Sequence, residues 1–211
     1  MDTILLTGFL PMKEGSLNSS CEVAKHFCNR EIDGYKIESI AVPVVYGKDI
    51  DQVSQQIQMV QPKAILSLGE SPSTALSVER IAVNLKSIEI QNPDGTDRWD
   101  VELIIGDAPT AYFATIPVRE TVDAILKIGI PATISCHAGT DLCNHIMYNI
   151  LHYISQQNLN IMAGFIHIPM LPQQVTVGAS RRLQPSMSLE NIVSGVETAI
   201  RVIIGKFKSI Q

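Results

Sequence analysis

Ten consecutive residues, CHAGTDLCNH from Cys136 to His145, hold two cysteines and two histidines. These side chains can ligate a soft metal, exchange disulfides or attack a carbonyl carbon. A zinc centre needs about four nitrogen or sulfur ligands at short motif spacings, and Cys136, His137, Cys143 and His145 match no finger or ribbon pattern. The four cysteines of the chain, at 21, 28, 136 and 143, form no CxxC pair and read as free thiols. Nucleophilic chemistry is left. If PATISC is a strand and LCNHIMYNILHYI a helix, AGT is the turn between them, Gly139 supplies backbone freedom, and Thr140 or Asp141 caps the helix. Cys143 then lies in the first helical turn, where unpaired N–H groups and the helix dipole favour a thiolate over a thiol of ordinary pKa about 8.5. The same N–H groups suit an oxyanion hole. Cys143, Met147 and Leu151 also share one side of the helix, which is the pattern of a packed cysteine, so both readings stay open at this point.

A nucleophilic cysteine requires a base. His167 in GFIHIPMLPQQ sits near the end of an apolar strand closed off by Pro169 and Pro172. His145 and His152 belong to the helix itself, with His145 two positions from Cys143 and so on a diverging face; His26, mid-helix, reads as a surface residue. A third group, a carboxylate or amide, should fix the imidazole tautomer, and spacing alone does not choose among twenty-one acids.

The elements that must position these groups alternate along the chain. TILLTGF precedes SSCEVAKHFCNR, KIESIAVPVVY precedes KDIDQVSQQIQM, and KAILSLG follows; YFATIPV precedes RETVDAILKIG, PATISC precedes LCNHIMYNILHYISQQ, and NIMAGFIHIP precedes SLENIVSGVETAIRVIIGKF. This rhythm predicts an α/β fold, a mostly parallel or mixed sheet flanked by helices on both faces, three layers in all. Sites in such sheets collect at the carboxyl ends of strands. The segment from Glu89 to Ala108, with NPDGTDRWD inside it, breaks the rhythm and reads as a hairpin excursion. No repeat or linker divides residues 1–211, which are expected to form a single domain. A net charge of −5, with both signs scattered, gives no sign of a phosphate-tracking surface or an anionic-membrane patch, so neither nucleic acid nor membrane is an expected partner. The opening MDTILLTGFL lacks a basic leader and its apolar run is too short to span a bilayer, so the expected compartment is the cytoplasm.

Six ordered segments, TGFLP, SVERIAVN, AYFATIPV, AGTDLCNHIMYNILHY, GFIHIPMLPQQ and PSMSLENIVSGVETAI, carry a resemblance over nearly the whole chain. The chain resembles the type I pyroglutamyl peptidases, or pyrrolidone-carboxylate peptidases, cysteine exopeptidases that remove an N-terminal pyroglutamyl residue. The resemblance implies a nucleophile at Cys143, a general base at His167 and an orienting acid at Glu79, no metal or cofactor, small peptide substrates with a blocked N-terminus, and a homotetramer. Without the resemblance, Glu79 would read as an exposed salt-bridge partner of Arg80. Substrate-pocket positions implied in the same way are Phe9, Met12, Ile90, Asp141 and Leu142. The chain departs from the family at several of these. The family's GF-acid-PFGG opening reads GFLPMKEG here, placing Met12 where a second aromatic stands, and the Phe of GTFVCNH falls on Asp141. The arginine of a GGR segment is absent around Pro72 and Ser73, and another, linked to oxyanion stabilisation, falls on Glu89. The triad is kept while the specificity set is altered. The alternatives are a hydrolase of another small amide or ester, or a binding homologue with weak catalysis.

Overall fold

The computed structural model describes residues 1–90, 98–177 and 184–209, without the side chains of Ile90, Arg98 and Val177. In chain order the elements are β1 (Thr3–Phe9), α1 (Ser19–Phe27), β2 (Glu31–Ile32), β3 (Tyr35–Val42), α2 (Lys48–Val60), β4 (Ala64–Ser71), β5 (Leu76–Glu79), β6 (Ile81–Val83), β7 (Lys86–Ile90), β8 (Arg98–Glu102), β9 (Ala111–Phe113), α3 (Val118–Lys127), β10 (Ala132–Ser135), α4 (Leu142–Gln156), β11 (Met162–Pro169), α5 (Pro172–Val177) and α6 (Leu189–Lys208).

Seven strands form one sheet in the order β10-β5-β11-β4-β1-β3-β2. Its centre, β11-β4-β1-β3, is parallel, and these strands are apolar on both faces because helices cover both. The alternation along each strand sorts the core into two halves. Ile4, Leu6, Leu66, Leu68, Ile166 and Ile168 meet Val23 and Phe27 of α1, Val122 and Ile125 of α3, and Val196, Ile200 and Ile203 of α6. Leu5, Ile65, Ala163 and Phe165 meet Val53 and Ile57 of α2 and Ile146, Met147 and Ile150 of α4 on the other face. The three-layer α/β architecture is therefore as the sequence predicts. Two caps begin their helices as their residue types require: Asn18 Oδ1 accepts from the N–H of Ser20 and Cys21 at the start of α1, and Ser188 Oγ from Asn191 N–H at the start of α6.

Two departures from the predicted rhythm matter for the site. Strands β5 and β10 run parallel to each other but antiparallel to β11, so one edge of the sheet is reversed and the carboxyl ends do not all gather at one end. YFATIPV does not join this sheet. Only its first residues are extended, as β9 paired with β6 in a small ribbon; Pro117, with no N–H to give a ladder, starts α3, and the place beside β11 belongs to β5. The predicted excursion is a hairpin, β7 against β8, whose connecting residues 91–97 lie outside the described residues. Among the described residues no helix is long and apolar enough to cross a membrane.

Helix α1 rests directly on β1. A Cβ added to Gly8 would stand 2.3 Å from Ser20 O and 2.6 Å from Ser20 C, backbone atoms of a helix that cannot rotate aside. Gly8→Ala is expected to lower stability by about 3 kcal/mol, the upper part of the range for overpacked cores. Denaturant unfolding reads this directly, and a loss below about 0.5 kcal/mol would show that α1 shifts freely.

Candidate active site

The site grows from the rung of the sheet where β4 and β11 pair Gly69 with His167. On β11, His167 shares a face with Phe165, whose ring centroid lies 4.9 Å from its own. On the other side of β11, the antiparallel β5 sets Glu79 opposite Phe165 and Ser77 opposite His167. Glu79 is thus the diagonal neighbour of His167 on the same face, within reach of a long side chain. Glu79 Oε1 lies 2.7 Å from His167 Nδ1, with the two side chains 2% and 12% exposed. A carboxylate only accepts, so Nδ1 carries the shared proton and Nε2 is left to act as the base. The reading of Glu79 as an exposed partner of Arg80 is overturned: Glu79 is buried and turned to the imidazole, while the buried Nε of Arg80 has no hydrogen-bond partner.

Cys143 comes from the other direction. After β10 the chain turns through Gly139, at φ +82°, a conformation that costs other residues a clash of Cβ. It then enters α4 with Cys143 in the first turn. The thiol points down onto the sheet. A Cβ on Gly69 would stand 2.6 Å from Cys143 Sγ and from Phe165 Cζ, so the missing side chain of Gly69 makes the room in which the sulfur sits. Cys143 and His167 are therefore placed over one rung, delivered by α4 and β11. Asn144 pins this turn: its amide donates to Val83 O and Leu85 O and accepts from Val83 N–H, tying α4 to β6 and the base of the hairpin.

Electrostatics here oppose the simple expectation for a helix start. Burial, followed by the charges of Asp141, Glu79 and Glu70, pushes the Cys143 thiol up to about 12. The expected lowering by the dipole of α4 is overridden, because a desolvated thiolate would face three carboxylates. The proton stays on sulfur until a base removes it.

The remaining predicted residues divide. Phe9 is buried in the same apolar cluster as Phe165 and Ala138, and Leu142 is partly buried against that cluster. Asp141 occupies the N-cap position of α4, yet its side chain makes no cap hydrogen bond and is exposed, so the expected cap exists in position only. Thr140 instead pairs its hydroxyl with Ser87 Oγ at 2.7 Å. Met12 is 83% exposed and is not brought into the cluster. Ile90 ends β7, and its side chain lies outside the described residues. Glu89 is exposed on β7, opposite Trp99. Of the opening ten residues, Cys136 is exposed, His137 Nδ1 accepts from Gly139 N–H, and His145 turns away to Asp49. Among the described residues no group of three or more His, Cys, Asp or Glu side chains is arranged to hold a metal ion.

Sequence reading missed Gly69 and Glu70. Glu70 Oε2 accepts from Ser19 N–H at 2.8 Å and from Gln174 Nε2 at 2.7 Å, clamping the start of α1 and α5 beside the site. A glycine inside an otherwise apolar strand, followed at once by a carboxylate, was the available signal.

The pyroglutamyl peptidase family description matches residues 2–206. The chain is 44% identical to pyrrolidone-carboxylate peptidase 2 of Caldanaerobacter subterraneus subsp. tengcongensis, over 97% of this chain and 98% of that protein. It is 39% identical to the pyrrolidone-carboxylate peptidase of Aliivibrio fischeri, over 100% of this chain and 97% of that one. The solved pyrrolidone carboxyl peptidase from Thermococcus litoralis superposes with a TM-score of 0.89 at 34% identity, covering 100% of this chain and 97% of that chain. With the family pattern matched from end to end and a cysteine, a histidine and a carboxylate over adjoining strands of a shared fold, the chain belongs to the pyroglutamyl peptidase family of cysteine peptidases.

Proposed function

We propose that Cys143, His167 and Glu79 remove an N-terminal pyroglutamyl residue from peptides by thiol acyl transfer. The observation that carries this reading is the Glu79–His167 hydrogen bond beside the rung on which Cys143 Sγ rests. His167 draws the proton from sulfur as the thiolate attacks the amide carbonyl after the pyroglutamyl ring, then gives it to the departing amine; water, deprotonated by His167, releases the acid from the thioester. Glu79 holds the imidazole tautomer and stabilises its charged form. Because Asp141 leaves the first-turn amides of α4 unclaimed by its side chain, the N–H of Cys143 is free to meet the developing oxyanion. Phe9, Leu142 and Asp141 border the ring-binding side in this reading, and Met12 and Ile90 are proposed as pocket positions on the family resemblance alone. Residues 1–211 act as one domain, without metal or cofactor.

A second reading keeps the triad for another small amide or ester, and the exposed, uncapped carboxylate of Asp141 favours it. It would draw a cationic amine in this reading, whereas in the first it would accept from the lactam N–H. Assembly into homotetramers is supported by the exposure of Trp99, Val101 and Leu103 on and after β8, apolar surface suited to a second chain. A cytoplasmic location is supported by four unpaired cysteines, Cys28 and Cys136 exposed among them.

Chromophore release from pyroglutamyl, alanyl and prolyl amides tests the assignment. Cys143→Ser should abolish release from the pyroglutamyl amide, and His167→Gln and Glu79→Gln should each cut kcat by roughly 10²- to 10⁴-fold. A thiol held near 12 is thiolate in only about one molecule in 10⁴ at pH 8, so once His167→Gln removes the base, alkylation of Cys143 should become slow below pH 9 and recover only as pH rises toward that value. Equal alkylation rates at pH 8 with and without the imidazole would remove His167 from the mechanism. Asp141→Phe is expected to raise the preference for pyroglutamyl over free-amino substrates; unchanged relative rates would show that Asp141 takes no part in selection. Sedimentation equilibrium at micromolar concentration should give four times the chain mass, and a monomer would rule out the proposed assembly.

A further inference from the structure

A second carboxylate–imidazole pair lies on the far side of the nucleophile. Asp49, in the first turn of α2, is fully buried; its Oδ2 is 2.9 Å from Nδ1 of His145, and its Oδ1 has no hydrogen-bond partner. His145 follows Cys143 by two positions, so it leaves α4 about 200° around the axis and faces α2 rather than the sheet. The ring of Tyr46 meets His145 edge-on, with centroids 4.9 Å apart and planes at 66°. From there the Tyr46 hydroxyl donates to Ser87 O at 3.3 Å, Ser87 N–H donates to Thr140 O at 2.7 Å, and Thr140 leads back into the first turn of α4. The charges around Tyr46 are those of Asp141, Asp49 and, when ionised, Cys143, with Lys86 Nζ 5.7 Å from the ring centroid. A closed circuit thus runs from α2 through His145, Tyr46 and β7 to the residues that introduce the nucleophile.

Holding two helices together does not require this arrangement. A buried ion pair is often no more stable than apolar side chains of the same volume, and here one carboxylate oxygen is left unsatisfied. What an apolar pair cannot do is fix the tautomer and plane of an imidazole, and with them the ring that meets it edge-on. We propose that Asp49 and His145 are positioning residues for Cys143, acting through Tyr46 and Thr140 to keep the first turn of α4 in the geometry for acyl transfer. This rests on Cys143 being the nucleophile.

The test uses the full chain with Asp49→Asn, His145→Gln and Tyr46→Phe, reading kcat, KM and the rate of Cys143 alkylation by iodoacetamide, with a melting curve to fix the folded fraction. In Asp49→Asn and His145→Gln, kcat should fall about tenfold or more with KM within about twofold, and alkylation should slow in parallel; Tyr46→Phe should show a smaller loss of the same kind. Folded Asp49→Asn that keeps kcat and alkylation within about twofold, whatever its melting temperature, would overturn the proposal. Should Asp49→Asn fail to fold, Tyr46→Phe, a partly exposed site losing one hydroxyl, decides on the same readouts: unchanged kcat and alkylation overturn the proposal. The alkylation arm needs no peptide. A chain inert toward pyroglutamyl amides whose Cys143 alkylation still depends on Asp49 would refute the substrate assignment and support the positioning pair.

Discussion

One hydrogen bond, from His167 to Glu79, organises this protein, and it joins residues 88 positions apart. It exists because β5 enters the sheet antiparallel to β11 with Glu79 two residues out of register from His167. A slip by one residue would send Glu79 to the opposite face, among the residues packed under α3 and α6, where a carboxylate would have neither partner nor water. Apolar burial of Leu76 and Val78 on that opposite face fixes the register, so core packing and the Glu79–His167 contact are set by the same alternation.

Charge explains why the pair must work as a unit. The site is rich in carboxylates and Cys143 is partly buried, so the sulfur keeps its proton in the resting state. The proposed acyl transfer therefore calls for a general base. The carboxylate behind His167 is buried; in the proposed mechanism it would neutralise an imidazolium as it forms, so that a proton could move inside a negative site without creating a lone buried charge. In the same proposal the amides at the start of α4 would supply the complementary positive potential at the carbonyl oxygen.

The local grammar of the chain was legible without coordinates. The alternation of strands and helices, the turn at Gly139 and a hairpin in the excursion around NPDGTDRWD follow from short-range rules, and Cys143 at a helix start and His167 at a strand end come from the same reading. What was not legible is non-local. No spacing rule says that β5 reverses direction and slots beside β11, so the choice of Glu79 among the acids needed the family resemblance. The same holds for Gly69, whose meaning is a sulfur arriving from 74 positions later, and for Asp49, buried because His145 reaches it across two helices. The Cys143 thiol departs from the helix-start expectation for the same cause: a dipole is visible in one helix, whereas desolvation and distant carboxylates are properties of the assembled fold.

The place of β11 in the sheet has a consequence for how the chain is made. This strand, residues 162–169, lies between β4 (residues 64–71) and β5 (residues 76–79), both of which leave the ribosome well before it. Until it arrives, β4 and β5 each present an unpaired edge, and the sheet is split into two portions with nothing between them. Insertion of β11 closes both edges and carries His167 to Glu79 in the same movement. A chain ending before Met162 would lack His167 and would leave the facing edges of β4 and β5 unpaired, so one strand both completes the sheet and supplies the proposed base.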